Sequence, residues 1–314
     1  MVNIRDIAKK ANVSITTVSR VINGHPYVKE DKRERVLAIM EEIGYQINMN
    51  AVHLSKGITK RIGVIIPFVS HPYFSQLLSG IYKGAFINKH HLLVMQTNYD
   101  NCVEVECLNM LKNREVDGII IVSCELDQEI IADYKPFGPI VFCGEFVENF
   151  RCITIDHAAA FQLGLEELFY NGHTKIGYTL GRKNSHNSHV RALTYKNFME
   201  IRTLPYDSKW IFDGAYTMED GERIYHMWNK LRDKPTGLLV TNDQVAAGFL
   251  LAANKERNNL QSFVQIIGFD NQYISQLLSF STIELPLTQM GETSFHLLFQ
   301  EIKHVKLGHS LIKR

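Results

Sequence analysis

Residues 13–23 read V-S-I-T-T-V-S-R-V-I-N, a run in which short hydroxyl side chains alternate with branched apolar ones and a single arginine stands among them. Wound as a helix from Ser14, the stretch places Val18, Val21 and Ile22 on one face at i, i+3 and i+4, a stripe that can be buried. Thr16, Ser19, Arg20 and Asn23 then share the opposite face, which carries hydrogen-bond donors and one cation but no carboxylate. Such a surface suits an acceptor-rich, negatively charged partner.

Working outward, Ile4, Ile7, Ala8 and Ala11 repeat at helical spacing, and Asn12 is suited to the left-handed conformation that ends a helix. Ser14 can cap the next one. Two short helices joined by a tight turn, the second with a polar outer face, make a helix-turn-helix. A third helix is predicted from about Glu30 to Ile43, with Val36, Leu37, Met40 and Ile43 inward and Gly44 stopping it. The formal net charge of +1 hides an asymmetry: residues 1–61 hold 11 Lys and Arg against 6 Asp and Glu, and the rest 23 against 27. The basic end is an electrostatic footprint for a polyanion, which favours a nucleic-acid-binding unit over a plain three-helix bundle.

The run I-R-D-I-A-K-K-A-N-V-S-I-T-T-V-S-R-V-I-N-G, followed by Y-V, R-E-R-V and E-E-I-G-Y, resembles the DNA-binding headpiece of the lactose-repressor (LacI/GalR) family. The resemblance implies that the second helix lies in the major groove. Ile15, Thr16 and Arg20 match its base-reading positions, and Thr17, Ser19, Asn23 and Tyr27 match positions that hold the phosphate backbone. Chemistry agrees, since hydroxyls reach phosphates and an arginine fork fits the N7 and O6 acceptors of guanine. After Tyr45 the family has a hinge segment that is helical on operator DNA. Asn48, Ala51 and Leu54 fall on its matching positions, with Leu54 as the minor-groove wedge. Ile47 stands where the family has proline, Val52 where it often has arginine, and Lys29 replaces the usual serine cap of the third helix.

From Arg61 onward, apolar runs alternate with amphipathic segments: IGVIIPF, LLVMQTN, DGIIIVS, PIVFCG, KIGYTLG, TGLLVTN and VQIIGFD. They read as buried strands of a parallel α/β fold. Ligands of such sheets sit beyond the carboxyl ends of the strands. The polar and aromatic residues found there are Tyr73, Phe74, Glu145, Arg191, Tyr216, Asn242 and Asp270. Taken singly, the aromatic residues read as packing and Asn242 and Asp270 as helix caps. Together, an arginine, acids, an amide and aromatic plates suit a polyhydroxylated ring.

The resemblance continues through S-H-P-Y-F, V-D-G-I-I, N-G-H-T-K-I-G-Y, N-D-Q-V-A-A-G and I-I-G-F-D-N. It implies two similar periplasmic-binding-protein-like lobes of parallel sheet joined by three crossings, preceded by the small all-α headpiece. Arg191, Asn242 and Asp270 match the family's polar effector positions, Tyr216 its aromatic wall, and Glu145 less cleanly. Arg191 and Asp270 are expected on opposite lobes. The chain ends at Ile312-Lys313-Arg314, somewhat short of the family's last strand and without an added leucine heptad, so a homodimer is expected. The domains are read as 1–46, a helix-turn-helix headpiece; 47–60, a hinge helix and linker; and 61–314, an effector-binding and dimerisation domain.

Several classes are set aside. No apolar run reaches the roughly 18 to 20 residues of a membrane span, and the polar start lacks a signal-peptide core, so a cytoplasmic protein is expected. Five cysteines without repeating spacing fit reduced thiols. Absence of GxSxG, of GxGxxG after a strand, of a P-loop and of HExxH argues against an enzyme, and no catalytic residue or cofactor is assigned. His186 and His189 lack further ligands of convincing spacing, so no metal is expected. The reading is a dimeric transcription regulator, a repressor by family resemblance, bound to near-palindromic double-stranded operator DNA and controlled by a sugar or sugar phosphate. The alternatives are a regulator that takes a phosphorylated carrier protein as corepressor and, more remotely, a secreted sugar-binding protein or a sugar-acting enzyme. If Arg20 reads a guanine edge, Arg20→Ala lowers operator affinity by roughly 1–3 kcal/mol and relaxes preference at one position per half-site. Equal losses on operator and random DNA in a titration would reduce Arg20 to a phosphate contact.

Overall fold

The computed structural model describes residues 3–45, 57–183, 185–256 and 264–314. The chain forms two compact units, Met1–Lys60 and Arg61–Arg314. In the first, α1 (Ile4–Ala11) opens with a capping box between Asn3 and Asp6 and closes on Asn12 at φ +50°, the left-handed turn its side chain tolerates. The N–H of Thr17 donates to Ser14 Oγ at 3.1 Å and starts α2 (Ile15–Ile22). α3 (Glu30–Glu42) follows Lys29, which supplies no side-chain cap, as the missing serine leads one to expect. Ile7, Ala11, Val18 and Val36 meet in a dry centre. Leu37 departs from expectation. It is 50% exposed, because Val36 and Met40 define the inward face and a residue one step from Val36 is turned about 100° away; Ile39 packs instead. Asn48, Ala51 and Leu54, with the departures Ile47 and Val52, lie outside the described residues.

The second unit holds two six-stranded sheets. The first contains β1 (Arg61–Ile66), β2 (His91–Gln96), β3 (Gly118–Ile121), β4 (Ile140–Cys143), β5 (Arg151–Ile155) and β11 (His304–Leu307), in the order β11-β5-β4-β3-β1-β2. The second contains β6 (Ile176–Thr179), β7 (Ile211–Phe212), β8 (Gly237–Leu239), β9 (Gln265–Phe269), β10 (Ser281–Glu284) and β12 (Ser310–Ile312), in the order β12-β10-β9-β8-β6-β7. Only the β10–β12 pair is antiparallel among them. The seven apolar runs are β1 to β4, β6, β8 and β9; all but β2 are largely buried, as their unbroken hydrophobic stretches lead one to expect, whereas β2 lies at the sheet edge with no residue buried. The other five strands are short or polar. In β10, Thr282 is fully buried because its hydroxyl serves the carboxylate of Asp243, a role that masks the strand from a hydrophobicity reading.

The chain passes between lobes three times: from β5 into α7 (His157–Tyr170), from β10 into α12 (Leu287–Leu297), and from β11 to β12. Each lobe is closed by one very tight helix pair. In lobe one, α4 (Pro72–Ile87) meets α12 through Gly80 and Gly291, where an added Cβ would lie 2.0 Å from the carbonyl oxygens of Thr288 and Leu77 respectively. In lobe two, α9 (Met218–Lys230) meets α10 (Asp243–Lys255) through Gly221 and Gly248, whose added Cβ atoms would lie 2.2 Å from Val245 O and 1.8 Å from Met218 O. Backbone cannot yield cheaply. Gly248→Ala is therefore expected to destabilise by about 1–3 kcal/mol, outweighing the roughly 1 kcal/mol gained in helix propensity, as read by urea unfolding.

Candidate functional site

On the headpiece, the outer face of α2 is open. Ile15, Thr16 and Arg20 are exposed, Tyr27 is 85% exposed, and among the described residues no carboxylate pairs with Arg20. Thr17, Ser19 and Asn23 are half-buried. Thr17 shares a hydrogen bond with Ser14 Oγ, and Asn23 Nδ2 donates to the Ser19 carbonyl at 2.9 Å. The arrangement puts one free guanidinium and short apolar and hydroxyl groups forward, with tethered polar groups around them.

In the second unit, a cavity of about 180 Å³ lies between the lobes at the carboxyl ends of the strands. All seven residues picked out by position, Tyr73, Phe74, Glu145, Arg191, Tyr216, Asn242 and Asp270, line it. Tyr73 and Phe74 occupy the first turn of α4, packed edge to face with ring centroids 5.1 Å apart. Arg191 stands on α8 (His186–Ile201), its guanidinium 4.8 Å from the centroid of Phe269. Asp270 follows β9 at φ +93°, a conformation an L residue rarely holds and one that stores strain at the site. One expectation fails here: Arg191 and Asp270 stand on the same lobe, because β6 and β9, which deliver them, belong to one sheet. Asn242 does cap α10: its Oδ1 accepts from Val245 N–H, and its Nδ2 donates to the Tyr216 carbonyl. Asp270 is not a cap, since Gln272 starts the helix Tyr273–Leu277.

Charge in the cavity is arranged by burial. Desolvation raises Asp270 to about 7 against the opposing charge of Arg191, and raises Asp243 to about 8 with Asp270 as the second cause. Glu145 is raised by burial, with His186 opposing. His157, at the first crossing, is pushed down to about 4 by burial and then by Arg191, with the Gly144 backbone only partly offsetting them, so its imidazole is neutral. Both His157 ring nitrogens and Arg191 Nε are enclosed without a hydrogen bond of ordinary geometry. Buried polar atoms left unpaired in this way lose roughly 1–3 kcal/mol each, which a bound polar ligand restores. A neutral imidazole donates from one nitrogen and accepts at the other, as a hydroxyl requires.

Several residues here carried no readable signal of their own. His71 caps α4, its Nδ1 accepting from Tyr73 N–H, which leaves Nε2 protonated to donate to the Tyr216 carbonyl at 3.3 Å on the other lobe. Arg182 ion-pairs with Glu125, stacks 3.9 Å from the centroid of Tyr99 and lies 3.4 Å from Ser123 Oγ, all across the cleft. Glu104, fully buried, accepts the N–H groups of Glu125 and Leu126 and so holds the loop that receives Arg182. Asp243 accepts Gln272 N–H and the Thr282 hydroxyl, fixing the turn that aims Asp270.

A helical unit with a free basic face, followed by a two-lobed unit with a polar interlobe cavity, defines the class of ligand-responsive DNA-binding regulators. Residues 3–48 match the model of bacterial regulatory proteins of the lacI family, and residues 59–312 match that of periplasmic binding proteins and the sugar binding domain of the LacI family. The chain belongs to this family. It is similar to the HTH-type transcriptional regulator YkvZ of Bacillus subtilis, 42% identical over all of this chain and 99% of the relative, and to the NTD biosynthesis operon regulator NtdR of the same organism, 34% identical over 100% and 97%. Its fold matches the lac repressor dimer bound to operator and the anti-inducer ONPF with a TM-score of 0.83 at 24% identity, over 100% of this chain and 98% of that one. The protein is a DNA-binding transcription regulator with a ligand-binding domain and not an enzyme. No described helix is long and apolar enough to cross a membrane.

Because Asp270 and Asp243 bind protons more tightly folded than unfolded, their ionisation opposes folding: stability is greatest below the unfolded carboxylate range and falls as pH rises toward 7–8. The unliganded protein is thus expected to lose thermal stability between about pH 6.5 and 8, above the range where His157 acts in the opposite sense. Asp270→Asn, which also tolerates the left-handed backbone, is expected to flatten that slope whatever its mean stability. An unaltered slope in thermal melts would show that Asp270 ionises freely.

Proposed function

We propose that the interlobe cavity binds a small, uncharged polyhydroxylated ligand, a sugar, and that its occupancy sets the affinity of a homodimer for a near-palindromic operator. The observation carrying this reading is the set of enclosed, unpaired donors and acceptors on His157 and Arg191 beside Asp270, in a cavity bounded by both lobes. Arg182 is paired with Glu125, and the carboxyls of Asp270 and Glu145 line the same cavity as Arg191, so a sugar fits better than a sugar phosphate. The same enclosure favours a small molecule over a phosphorylated carrier protein as the effector.

Ile15, Thr16 and Arg20 read bases in this scheme; Thr17, Ser19, Asn23 and Tyr27 hold phosphates, and Asn48, Ala51 and Leu54 supply the hinge. Repression in the cytoplasm is the expected setting. The dimer surface is assigned to the edge of lobe one, where Tyr82, Phe86 and Ile87 on α4 and Val94 on β2 are exposed apolar groups. Lobe closure couples the sites through the ligand's different affinity for two conformations. The test is operator binding by full-length protein, with and without sugars drawn from a thermal-shift panel. Arg191→Ala is expected to keep ligand-free operator affinity while losing the response, since a hydrogen bond to a charged group contributes roughly 1.5–3 kcal/mol. A response retained at the wild-type sugar concentration would place the effector site elsewhere.

A further inference from the structure

Strand β12 enters lobe two from the third crossing, and among the described residues it contributes nothing to the wall of the cavity. It is nevertheless tied to the turn that carries Asp270. The Arg314 guanidinium, just past the strand, donates from Nη2 to Asn271 Oδ1 at 2.7 Å, and from Nη1 to Ser275 Oγ at 3.0 Å and the Phe280 carbonyl at 3.3 Å. Ser310, at the start of the strand, donates to Glu284 Oε2 at 3.1 Å, and Glu284 Oε1 accepts from Asn271 Nδ2 at 2.9 Å. The oxygen and the nitrogen of the Asn271 amide are thus both held from β12, one directly and one through a relay.

The grip falls where the backbone most needs it. Asp270 and Asn271 hold consecutive positive φ values, +93° and +48°, a strained run that persists only where neighbouring contacts over-determine it. Ser275, fully buried, passes the Arg314 bond onward, since its hydroxyl donates to the Gln272 carbonyl at 2.7 Å. Asp243 holds the same turn from the interior through the Gln272 N–H. The crossing also grips a second cavity residue at one remove. Lys306 on β11 donates to Asp156 Oδ2 at 2.8 Å, and Asp156 Oδ1 caps α7 by accepting the Ala159 N–H at 2.9 Å; the first residue of that helix is His157.

We propose that the third crossing is a positioning device for the effector site: Arg314, through Asn271 and Ser275, holds Asp270 toward the cavity, so that a strand touching no ligand sets how this carboxyl is presented. The inference rests on the reading of the cavity as the effector site, whatever ligand it takes. Arg314 is a positioning residue in this scheme, and the clamp has two jaws, Asp243 inside the fold and Arg314 at its surface. Because the same segment runs from lobe one into lobe two, a change in the crossing reaches the Asp270 turn without passing through the ligand.

The test follows the melting temperature of full-length wild type, Arg314→Met, Asp270→Asn and the double variant between about pH 5.5 and 8.5. Asp270 is faced by Arg191 from α8, Tyr73 from α4 and Asp243 from α10, with Gln272 donating to it, and burial among them keeps its proton on. Freed of its brace, the carboxyl reaches water and ionises more easily, so Arg314→Met is expected to remove about half or more of the fall in stability between roughly pH 6.5 and 8. In the Asp270→Asn background it is expected to flatten nothing further. Loss of the Arg314 cation by itself would steepen the slope, since a positive charge favours ionised Asp270. A uniform drop in melting temperature with the wild-type slope makes Arg314 merely structural and overturns the proposal, as does further flattening in the Asp270→Asn background. Should Arg314→Met fail to fold, Ser310→Ala, which loosens only the relay through Glu284, is expected to flatten the slope in the same sense, and an unmoved slope there overturns the proposal too. Isothermal titration with glucose, cellobiose and sucrose separates this outcome from the sugar reading. A saccharide that binds wild type is expected to bind Arg314→Met or Ser310→Ala more weakly, by roughly fivefold for the former, and equal binding counts against the brace. If no saccharide binds, the sugar reading falls and the pH profiles alone decide.

Discussion

Much of the ligand-binding unit depends on one buried carboxylate. Asp243 begins α10 with no exposed surface, and its two oxygens accept the Gln272 N–H at 2.6 Å and the Thr282 hydroxyl at 2.7 Å. Those bonds tie the end of β8 to the turn after β9 and to β10. Gly268 makes the approach possible, since a Cβ there would lie 2.0 Å from Asp243 Oδ1. With the turn held from below, Asp270 is kept at its left-handed φ and its carboxylate stays in the cavity. Burial is the main reason both carboxyls hold their protons well above the usual carboxylate range, and the charge of Asp270 raises Asp243 further. The strain and the charge repulsion are local, and the surrounding sheet over-determines them.

Across the cleft, closure is supported by few but well-formed contacts. His71 reaches the Tyr216 carbonyl, and Arg182 gathers Tyr99, Ser123 and Glu125. These are polar, partly exposed interactions, each of modest net strength in water. A lobe interface of this kind is suited to switching, because a ligand need supply only a few kcal/mol of differential binding to change the closed population substantially.

The sequence carried the architecture where hydrophobic runs and caps are local. The seven apolar runs became strands, six of them buried within their sheets and β2 at an edge, and Asn12, Ser14 and Gly44 ended or began helices by chemistry visible in single residues. The cavity residues were found because strand ends converge in a parallel fold. What stayed hidden depends on distant partners. Glu104, Asp243 and Arg182 look like ordinary surface charges until residues more than 20 positions away meet them. Thr282 and Ser281 disguised β10 by being polar and buried together. Leu37 misled because an apolar residue adjacent to a buried one was counted on the same helix face.

The lobe assignment changes how allostery has to work. Arg191 and Asp270 both stand on lobe two, so a ligand gripped only by them would bind an open and a closed cleft equally and shift nothing. The bias toward closure must come from groups that meet the ligand only when lobe one is near. Under the proposed function those groups are Tyr73, Phe74 and Glu145, which line the cavity from lobe one, while His157 lines it at the start of the helix that follows the first crossing. Under the proposed function, affinity and switching are therefore separable: the lobe-two pair would anchor the ligand, and the aromatic first turn of α4 would convert anchoring into a change of conformation. Because His71 caps that same turn and also reaches Tyr216, the helix that would sense the ligand is the one already tied to the opposite lobe.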